Sequence, residues 1–293
     1  MKDDRISNGS SRRDFLKWTG MGAAAAALVG ACRAGGADPH PGEAGFSLGL
    51  ASYTFREFSL AETLTMTRRL GLKRIALKSF HLPLESPVED IRAAATRVAE
   101  ADFDLYGGGV IYMETPEEVD RAFAYARNAG MGIIIGVPGH GLLPRVEEKV
   151  RETDIRLAIH NHGPTDGLYP SPDSAYERIR GMDPRIGVCL DAGHTQRCGI
   201  DPSASARKCA DRLLDVHIKD VTASDASGGA IEIGRGVIDI PGLLRTLIDL
   251  GYTGTVSFEF EKDGRDPLPG LAESLGYVRG ALAVLNALGE AHP

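Results

Sequence analysis

The stretch RLAIHNH, residues 156–162, decides the fold and raises the question of function. Its apolar side chains, Leu157 and Ile159, fall on every second residue, which is the pattern of a β-strand with one apolar face. The alternate positions include His160 and, if the strand continues, His162. Whether these histidines are packed core residues, metal ligands or proton carriers depends on what the neighbouring strands place beside them.

From Gly45 onward, strand-like runs of this kind alternate with longer helical patterns. The strand-like runs are FSLGLASY (46–53), RIALKSF (74–80), DLYGGGVI (104–111), GIIIGVP (132–138), RLAIHNH (156–162), IGVCLDAGH (186–194), LLDVHIKD (213–220) and GTVSFEFE (254–261). The helical patterns cover residues 59–70, 87–101, 115–129, 143–153, 172–180, 202–212, 240–250 and 271–288. This alternation predicts an α/β protein with a single (β/α)₈ TIM barrel over residues 46–290. An open doubly wound sheet is the alternative, but SYTFRE (52–57) lacks its glycine-rich phosphate turn.

The first residues belong to a targeting signal and not to the fold. Arg12 and Arg13 precede the apolar run MGAAAAALVGAC (21–32), which is too short for a stable membrane anchor. Residues 1–32 are therefore predicted to be a twin-arginine export signal. Its end, LVGAC, resembles a lipobox in which Cys32 is lipidated, and cleavage to a soluble form is the alternative. Residues 33–45 then form a flexible tether, and we expect the protein in the periplasm or cell envelope.

Composition narrows the range of partners. The 293 residues carry a net charge of −7, without a basic cluster beyond the N-terminus, so a nucleic-acid partner is not expected. Membrane contact is expected only through a lipid on Cys32. Cys198 and Cys209 could form a disulfide in an oxidising compartment, but we expect the cysteines of the barrel to be free thiols.

The period-two rule, applied to the last four strands, sends four ionisable side chains into the barrel. They are His160, Asp191, His217 and Glu259, all near C-terminal strand ends, where barrel enzymes keep their chemistry. Each alone has an ordinary explanation: a hydrogen-bonded histidine, a capping aspartate, an ion-paired glutamate. Four at equal depth in consecutive strands instead predict a divalent metal site. His160 is the favoured histidine ligand of its strand, with His162 a second ligand or a substrate contact.

Three motifs in order resemble those of the xylose isomerase-like TIM-barrel superfamily, which includes sugar isomerases and epimerases and an endonuclease. CLDAGH (189–194) is similar to its D-x-x-H motif, VHIKD (216–220) to its H-x-K-D strand and FEFE (258–261) to its final ligand strand. The segment GRGVIDIPGLLRTLIDLGYTG (234–254) resembles the loop, helix and strand that join the last two. The resemblance implies a metal on Asp191, His217, Glu259 and the fifth-strand residue. It also implies substrate contacts from residues around this centre, namely His194, Lys219 and Arg235.

Two departures from the superfamily concern proton transfer. His160 stands where its sugar isomerases carry a glutamate, which removes a candidate base. At the end of the second strand, many members carry an acidic residue where this chain has Lys78 and His81. Lys78 either pairs with an interior carboxylate or, with its pKa lowered by burial and metal charge, carries a proton. His81 is a further candidate for substrate binding.

These features predict a metal-dependent carbohydrate enzyme that removes a proton beside a sugar carbonyl. Lys78 is the preferred proton carrier, ahead of His162 and Glu261. The metal is Mn²⁺ by analogy with the superfamily, with Co²⁺ or Zn²⁺ as alternatives. Isomerisation, epimerisation and β-elimination share the first step. LKSFHLPL (77–84) with HNHG (160–163) resembles exported bacterial members, some of which act as 3-keto-glycoside lyases. The rivals are an endonuclease-type phosphodiesterase, disfavoured by charge and export, and a non-catalytic tethered sugar-binding barrel.

Overall fold

The structure, a computed structural model, describes residues 45–290 and contains a closed barrel of eight parallel strands. In chain order the barrel strands are β1 (Ser47–Ala51), β2 (Arg74–Leu77), β3 (Asp104–Met113), β4 (Ile133–Pro138), β5 (Arg156–His160), β6 (Ile186–Asp191), β7 (Leu213–Ile218) and β10 (Thr255–Phe258). Strands β8 (Asp220–Val221) and β9 (Ala230–Ile231) lie between β7 and β10 in the chain and form a separate antiparallel pair. Strand β10 pairs with β7 and with β1, which closes the barrel. The predicted (β/α)₈ barrel is confirmed.

Helices surround this barrel and follow the predicted positions closely. They are α1 (Leu60–Arg69), α2 (Val88–Glu100), α3 (Pro116–Ala129), α4 (Leu143–Thr153), α5 (Pro172–Ile179), α6 (Ala192–Arg197), α7 (Pro202–Lys208), α8 (Ile240–Asp249) and α9 (Leu268–Glu290). Reciprocal capping boxes begin α1 at Ser59 and α3 at Thr115. The short helix α6 was not predicted, because DAGH (191–194) directly follows an apolar strand and was assigned to that strand. None of the helices in residues 45–290 is long and apolar enough to cross a membrane.

The predictions for the first residues lie outside the part of the chain that the structure describes. These are the export signal over residues 1–32 with Cys32 and the tether, of which only Gly45 is described. Cys189, Cys198 and Cys209 are all free thiols, so the alternative disulfide is not formed.

The alternation of the strands positions the functional side chains. Leu157 and Ile159 are completely buried between the barrel and its helices, as the period-two rule requires. Strand β5, however, ends at His160 and not at His162 as expected. The chain turns there, and the His162 backbone N–H donates to the carbonyl of Tyr169. The position of His162 therefore follows from a loop and not from strand alternation.

His81 ties the loop after β2 to the loop after β1. Its side chain is buried, Nδ1 lies 2.9 Å from Ser52 Oγ, and Nε2 lies 3.2 Å and 3.0 Å from the carbonyl oxygens of Phe55 and Phe58. Both ring nitrogens are thus used within the fold. These contacts give His81 a structural role, and its expected contact with substrate stays a prediction.

Asp220, the last residue of the VHIKD motif, organises the loop that leads from β9 to α8. Its Oδ1 accepts hydrogen bonds from the backbone N–H groups of Val221 and Ile238, and its Oδ2 from those of Gly234 and Gly236, at 2.9 to 3.1 Å. A Cβ on residue 236 would lie 2.1 Å from Asp220 Oδ1, so only glycine permits this approach.

We expect Asp220→Ala to lower the free energy of unfolding by roughly 3 kcal/mol or more, because each buried N–H left without an acceptor costs about 1–3 kcal/mol. Chemical denaturation measures this loss. Asp225→Ala, at an exposed position in the preceding loop, is the matched control and should change the free energy far less. Equal effects of the two substitutions would contradict the assigned role.

His81 should make stability depend on pH. Burial lowers its pKa, although hydrogen bonds to Phe55 and Phe58 oppose the shift. The unfolded chain therefore takes up this proton first, and stability falls as the pH drops below about 6.5. Between pH 7 and 5.5 we expect His81→Gln to reduce the slope of unfolding free energy against pH, by less than the one-proton limit of about 1.4 kcal/mol per pH unit. An unchanged slope would show that His81 keeps its ordinary pKa.

Candidate metal centre and its surroundings

The C-terminal ends of four barrel strands carry ionisable side chains that meet at one point. His160 and Asp191 are the last residues of β5 and β6. His217 is the penultimate residue of β7, and Glu259 follows β10 directly. All four are buried, and one nitrogen or oxygen atom of each lies within 4.8 Å of the other three. The predicted convergence of these residues is therefore present in the structure.

The distances between these atoms are those of ligands that surround one ion. His160 Nε2 lies 3.1 Å from His217 Nδ1 and 3.4 Å from Asp191 Oδ2. Glu259 Oε2 lies 3.2 Å from His217 Nδ1 and 4.0 Å from His160 Nε2. Protein ligands held at roughly 2.1 Å from a tetrahedral ion stand about 3.4 Å apart. The four side chains need little rearrangement to share an ion.

The protonation states of the four groups also suit a metal. Burial lowers the pKa of His160 to about 3, so its ring is neutral and keeps a lone pair. Burial alone would lower the pKa of His217, but the negative charge of Glu259 raises it. Burial alone would raise the pKa of Asp191 and Glu259, yet the ammonium of Lys219 and the neighbouring histidines together outweigh it and lower both. The two carboxylates are therefore ionised.

One buried oxygen lacks a hydrogen bond. Asp191 Oδ2 accepts no hydrogen bond from any residue between 45 and 290. The ammonium of Lys219 forms an ion pair with it at 2.9 Å, but this single charge is shared with Glu259 and Glu261. A metal ion would give this buried oxygen a further partner. The cluster of two imidazoles and two carboxylates could therefore hold a metal ion.

Lys219, predicted to bind substrate, bridges the carboxylates of this centre. Its buried ammonium lies 2.6 Å from Glu259 Oε2 and 2.7 Å from Glu261 Oε1, besides its approach to Asp191. Burial alone would lower the pKa of Lys219, but the three carboxylates raise it well above the ordinary value. Lys219 is thus a permanent cation. Three carboxylates share this one ammonium, so the site carries surplus negative charge that a divalent ion would offset.

Asp215 lies directly beneath the cluster, inside the barrel. Its Oδ2 is 3.6 Å from His217 Nε2, a buried nitrogen with no hydrogen-bond partner in the described chain. Tyr106 Oη and Cys189 Sγ lie 3.5 Å and 3.6 Å from its carboxylate. Burial raises the pKa of Asp215 to about 6, against the opposing effect of His217. A carboxylate behind a histidine orients that ring toward a metal on the other side.

Asn161 was missed at the sequence level. It is completely buried; its Oδ1 accepts the backbone N–H of Asp191 at 2.9 Å, and its Nδ2 donates to Thr195 Oγ1 at 3.2 Å. The side chain thereby fixes the end of β5 against the start of α6. A polar residue in a helix-facing position at a strand end was the signal available in the sequence.

Two further histidines stand over His160. The ring of His162 is centred 4.5 Å from that of His160, and the ring of His194 lies 6.0 Å away. His162 Nε2 bonds the hydroxyl of Tyr112 at 3.0 Å, and the His194 backbone N–H donates to Asp191 Oδ1 at 2.7 Å. Burial, followed by the proximity of His194, lowers the pKa of His162. Both rings are half-buried beside the centre.

Lys78 lies just past the end of β2 and is half-buried. Its ammonium donates to the carbonyl oxygen of Val110 at 2.8 Å, and within residues 45–290 it forms no ion pair with a carboxylate. The expectation that it pairs with an interior carboxylate is therefore wrong. Burial lowers its pKa, although the charge of Glu259 opposes the shift. Glu261, another candidate proton carrier, is held by Lys219.

Arg235 is paired with a residue of α9. Its guanidinium is exposed and forms a two-point ion pair with Glu273, at 2.5 Å and 2.7 Å. The predicted contact of Arg235 with substrate stays a prediction. The glycine-rich loop that carries Arg235 is organised by Asp220.

Comparisons with known proteins agree with this architecture. A family described as "Xylose isomerase-like TIM barrel" matches residues 23–281, and the twin-arginine translocation signal sequence matches residues 9–29. The rhizopine catabolism protein MocC of Rhizobium meliloti is 29% identical over 153 residues, which are 47% of this chain and 45% of that protein. The chain thus matches less than half the length of that curated relative.

Solved structures share the fold over most of the chain. An uncharacterized protein from Parabacteroides distasonis is 25% identical, with a TM-score of 0.63 over 81% of this chain and 99% of its own. An L-ribulose 3-epimerase is 17% identical, with a TM-score of 0.68 over 84% and 97%. A D-tagatose 3-epimerase-like protein is 17% identical, with a TM-score of 0.63 over 80% and 99%. At 17% identity, the similarity to the last two structures shows only that the fold is shared.

The matched signal sequence indicates export by the twin-arginine route. The matched barrel residues include the whole region from β1 to β10, with the three motifs that carry the cluster. The chain belongs to the xylose isomerase-like TIM-barrel family.

Proposed function

We propose that this protein is an exported, divalent-metal-dependent carbohydrate enzyme of the sugar isomerase and epimerase type. The observation that carries the proposal is the meeting of His160, Asp191, His217 and Glu259, with a carboxylate oxygen that accepts no hydrogen bond in the described chain, at the catalytic end of the barrel. The epimerases among the structural neighbours and the catabolic name of the curated relative are compatible with it. A net charge of −7 argues against an endonuclease-type activity.

The metal ligands in this proposal are His160, Asp191, His217 and Glu259. A divalent ion held by them would supply Lewis-acid polarisation of a sugar carbonyl and its neighbouring hydroxyl. Mixed nitrogen and oxygen donors suit Mn²⁺, Co²⁺ or Zn²⁺ better than Ca²⁺, and we propose Mn²⁺ first.

The protein groups around the centre then bind the sugar and move its proton. Lys78 takes the proton next to the carbonyl, because its lowered pKa makes the neutral amine accessible and no carboxylate in the described chain holds its charge. His162 and Glu261 are the alternative carriers. His194 and Lys219 position the hydroxyl groups. Tyr112 and Phe80, which expose their rings at this end of the barrel, offer apolar faces for the sugar.

Return of the proton to a neighbouring position gives isomerisation or epimerisation, and departure of a β-substituent gives elimination. A 3-keto-glycoside lyase is the specific form of the last outcome, suggested by the likeness of LKSFHLPL (77–84) to exported members of the superfamily. NMR of keto-sugars and 3-keto-glycosides with the Mn²⁺-loaded protein in D₂O separates the outcomes as deuterium exchange, a new epimer or a released aglycone. A non-catalytic sugar-binding barrel would show binding without any exchange. We further propose that Cys32 is lipidated after export.

Metal binding gives the first prediction of this proposal. The wild-type protein should bind about one Mn²⁺ per chain, and the ion should raise its unfolding temperature because it binds only the folded state. Asp191→Asn combined with His217→Gln should lower the affinity at least a hundredfold and abolish the thermal shift. Titration calorimetry and elemental analysis measure these effects, with Glu273→Gln on α9 as the control. Wild-type protein that neither contains nor binds a divalent ion would refute the proposed site.

Proton transfer gives the second prediction. Lys78→Met should slow deuterium incorporation into the substrate by 10²- to 10⁴-fold, the usual contribution of a general base, and leave Mn²⁺ affinity within twofold of wild type. Since the neutral amine is the base, the wild-type rate should rise with pH through a pKa below that of a free lysine. Lys73→Met, at an exposed lysine, is the matched control. Unchanged exchange in Lys78→Met would transfer the role to His162 or Glu261.

A further inference from the structure

A second polar cavity adjoins the candidate metal centre on the side of β6 and β7. It has a volume of about 220 Å³ and opens between α6 and the β8–β9 pair. Its lining includes Gly193, Arg197, Lys219, Gly228, Gly229 and Glu261. Gly228 cannot be replaced by a larger residue without a clash, because a Cβ there would lie 2.4 Å from the carbonyl oxygen of Ala223. The backbone at Gly228 therefore passes close to that of Ala223, and this position of the wall requires glycine.

Arg197 lines this cavity and has no role in the function proposed above. Its Nη1 lies 3.3 Å from His194 Nδ1 and its Nη2 lies 3.3 Å from the carbonyl oxygen of Ala226, both long hydrogen bonds. Its Nε is buried without a partner, and no carboxylate among residues 45–290 forms an ion pair with it. Arg185, in contrast, grips Asp183 with two short bonds of 2.9 Å and 2.7 Å. Most of the five N–H donors of Arg197 are thus free.

The other charges in the cavity do not satisfy Arg197. Lys219 pairs with Glu261 at 2.7 Å and with Glu259 at 2.6 Å, and neither carboxylate forms an ion pair with Arg197. A half-buried guanidinium is matched best by an oxyanion that accepts two parallel hydrogen bonds, and neutral hydroxyl groups give weaker bonds. We propose that this cavity binds the oxyanion of an acidic sugar, a carboxylate or a phosphate, with Arg197 as the recognising residue.

The proposal names the substrate class of the proposed enzyme and so rests on that function. The connection is short: Arg197 contacts His194, whose ring is centred 6.0 Å from the ring of His160. One sugar molecule can therefore place its acidic group at Arg197 and its carbonyl at the metal centre. The contact with His194 has a second effect, because Arg197 donates to Nδ1 and leaves the proton of a neutral His194 ring on Nε2.

Equilibrium binding tests this proposal separately from turnover. With the Mn²⁺-loaded full chain, D-glucuronate should bind roughly ten- to a hundredfold more tightly than D-glucose, the usual effect of a charged hydrogen-bond pair. Arg197→Gln should remove this preference and leave Mn²⁺ affinity unchanged. Arg197→Lys should retain part of it. D-glucose 6-phosphate in place of glucuronate distinguishes phosphate from carboxylate. Titration calorimetry or saturation-transfer NMR gives the affinities.

Arg180→Gln, at the exposed end of α5, is the matched control and should keep the wild-type preference. Two results would overturn the proposal: a wild-type protein that binds neither acidic sugar more tightly than glucose, or an acidic preference that survives in Arg197→Gln. Failure of the proposed function would look different, since deuterium exchange would then be absent while the charge preference remained measurable.

Discussion

The burial of carboxylates at the C-terminal end of the barrel is the constraint on which the rest of the structure depends. Asp191 and Glu259 are almost inaccessible to solvent, and an isolated buried carboxylate would be neutralised by a raised pKa. Here both stay ionised because Lys219, within 3 Å of each, and the neighbouring histidines together outweigh the effect of burial. Lys219 is shared with Glu261, however, so its single charge does not balance the group. The closed barrel therefore buries surplus negative charge in a cluster that could hold a divalent cation.

Positioning of the cluster extends beyond the four candidate ligands. Asp215 stands behind His217 on the side away from the other ligand atoms, so the ring is approached by a carboxylate at each nitrogen. Asn161 positions Asp191 in a similar way, because its side chain accepts a hydrogen bond from the Asp191 backbone N–H at the end of β6, where α6 begins. These contacts help to hold the ring of His217 and the backbone of Asp191 in place. A preorganised arrangement of this kind lowers the rearrangement that metal binding or catalysis requires.

The sequence predicted the barrel and the cluster because both follow from strand periodicity. His160, Asp191, His217 and Glu259 occupy inward positions of regular strands or the residue just after one, so alternation alone locates them. His81 and Arg235 lie in loops, where no period applies, and their partners come from distant parts of the chain. The carbonyl groups that bind His81 and the Glu273 that binds Arg235 leave no local signal. Arg197 was missed for a related reason: its helix begins inside a string of letters that reads as a strand.

The charges around the site also connect the metal to the choice of substrate. A divalent ion bound there would offset the surplus of Asp191, Glu259 and Glu261 over Lys219. Within residues 45–290, Arg197 forms no ion pair with a carboxylate, and its two hydrogen bonds go to a ring nitrogen and a backbone carbonyl at 3.3 Å. An acidic sugar would offer this guanidinium a matching oxyanion, whereas a neutral sugar would offer only hydroxyl groups, which bind it more weakly.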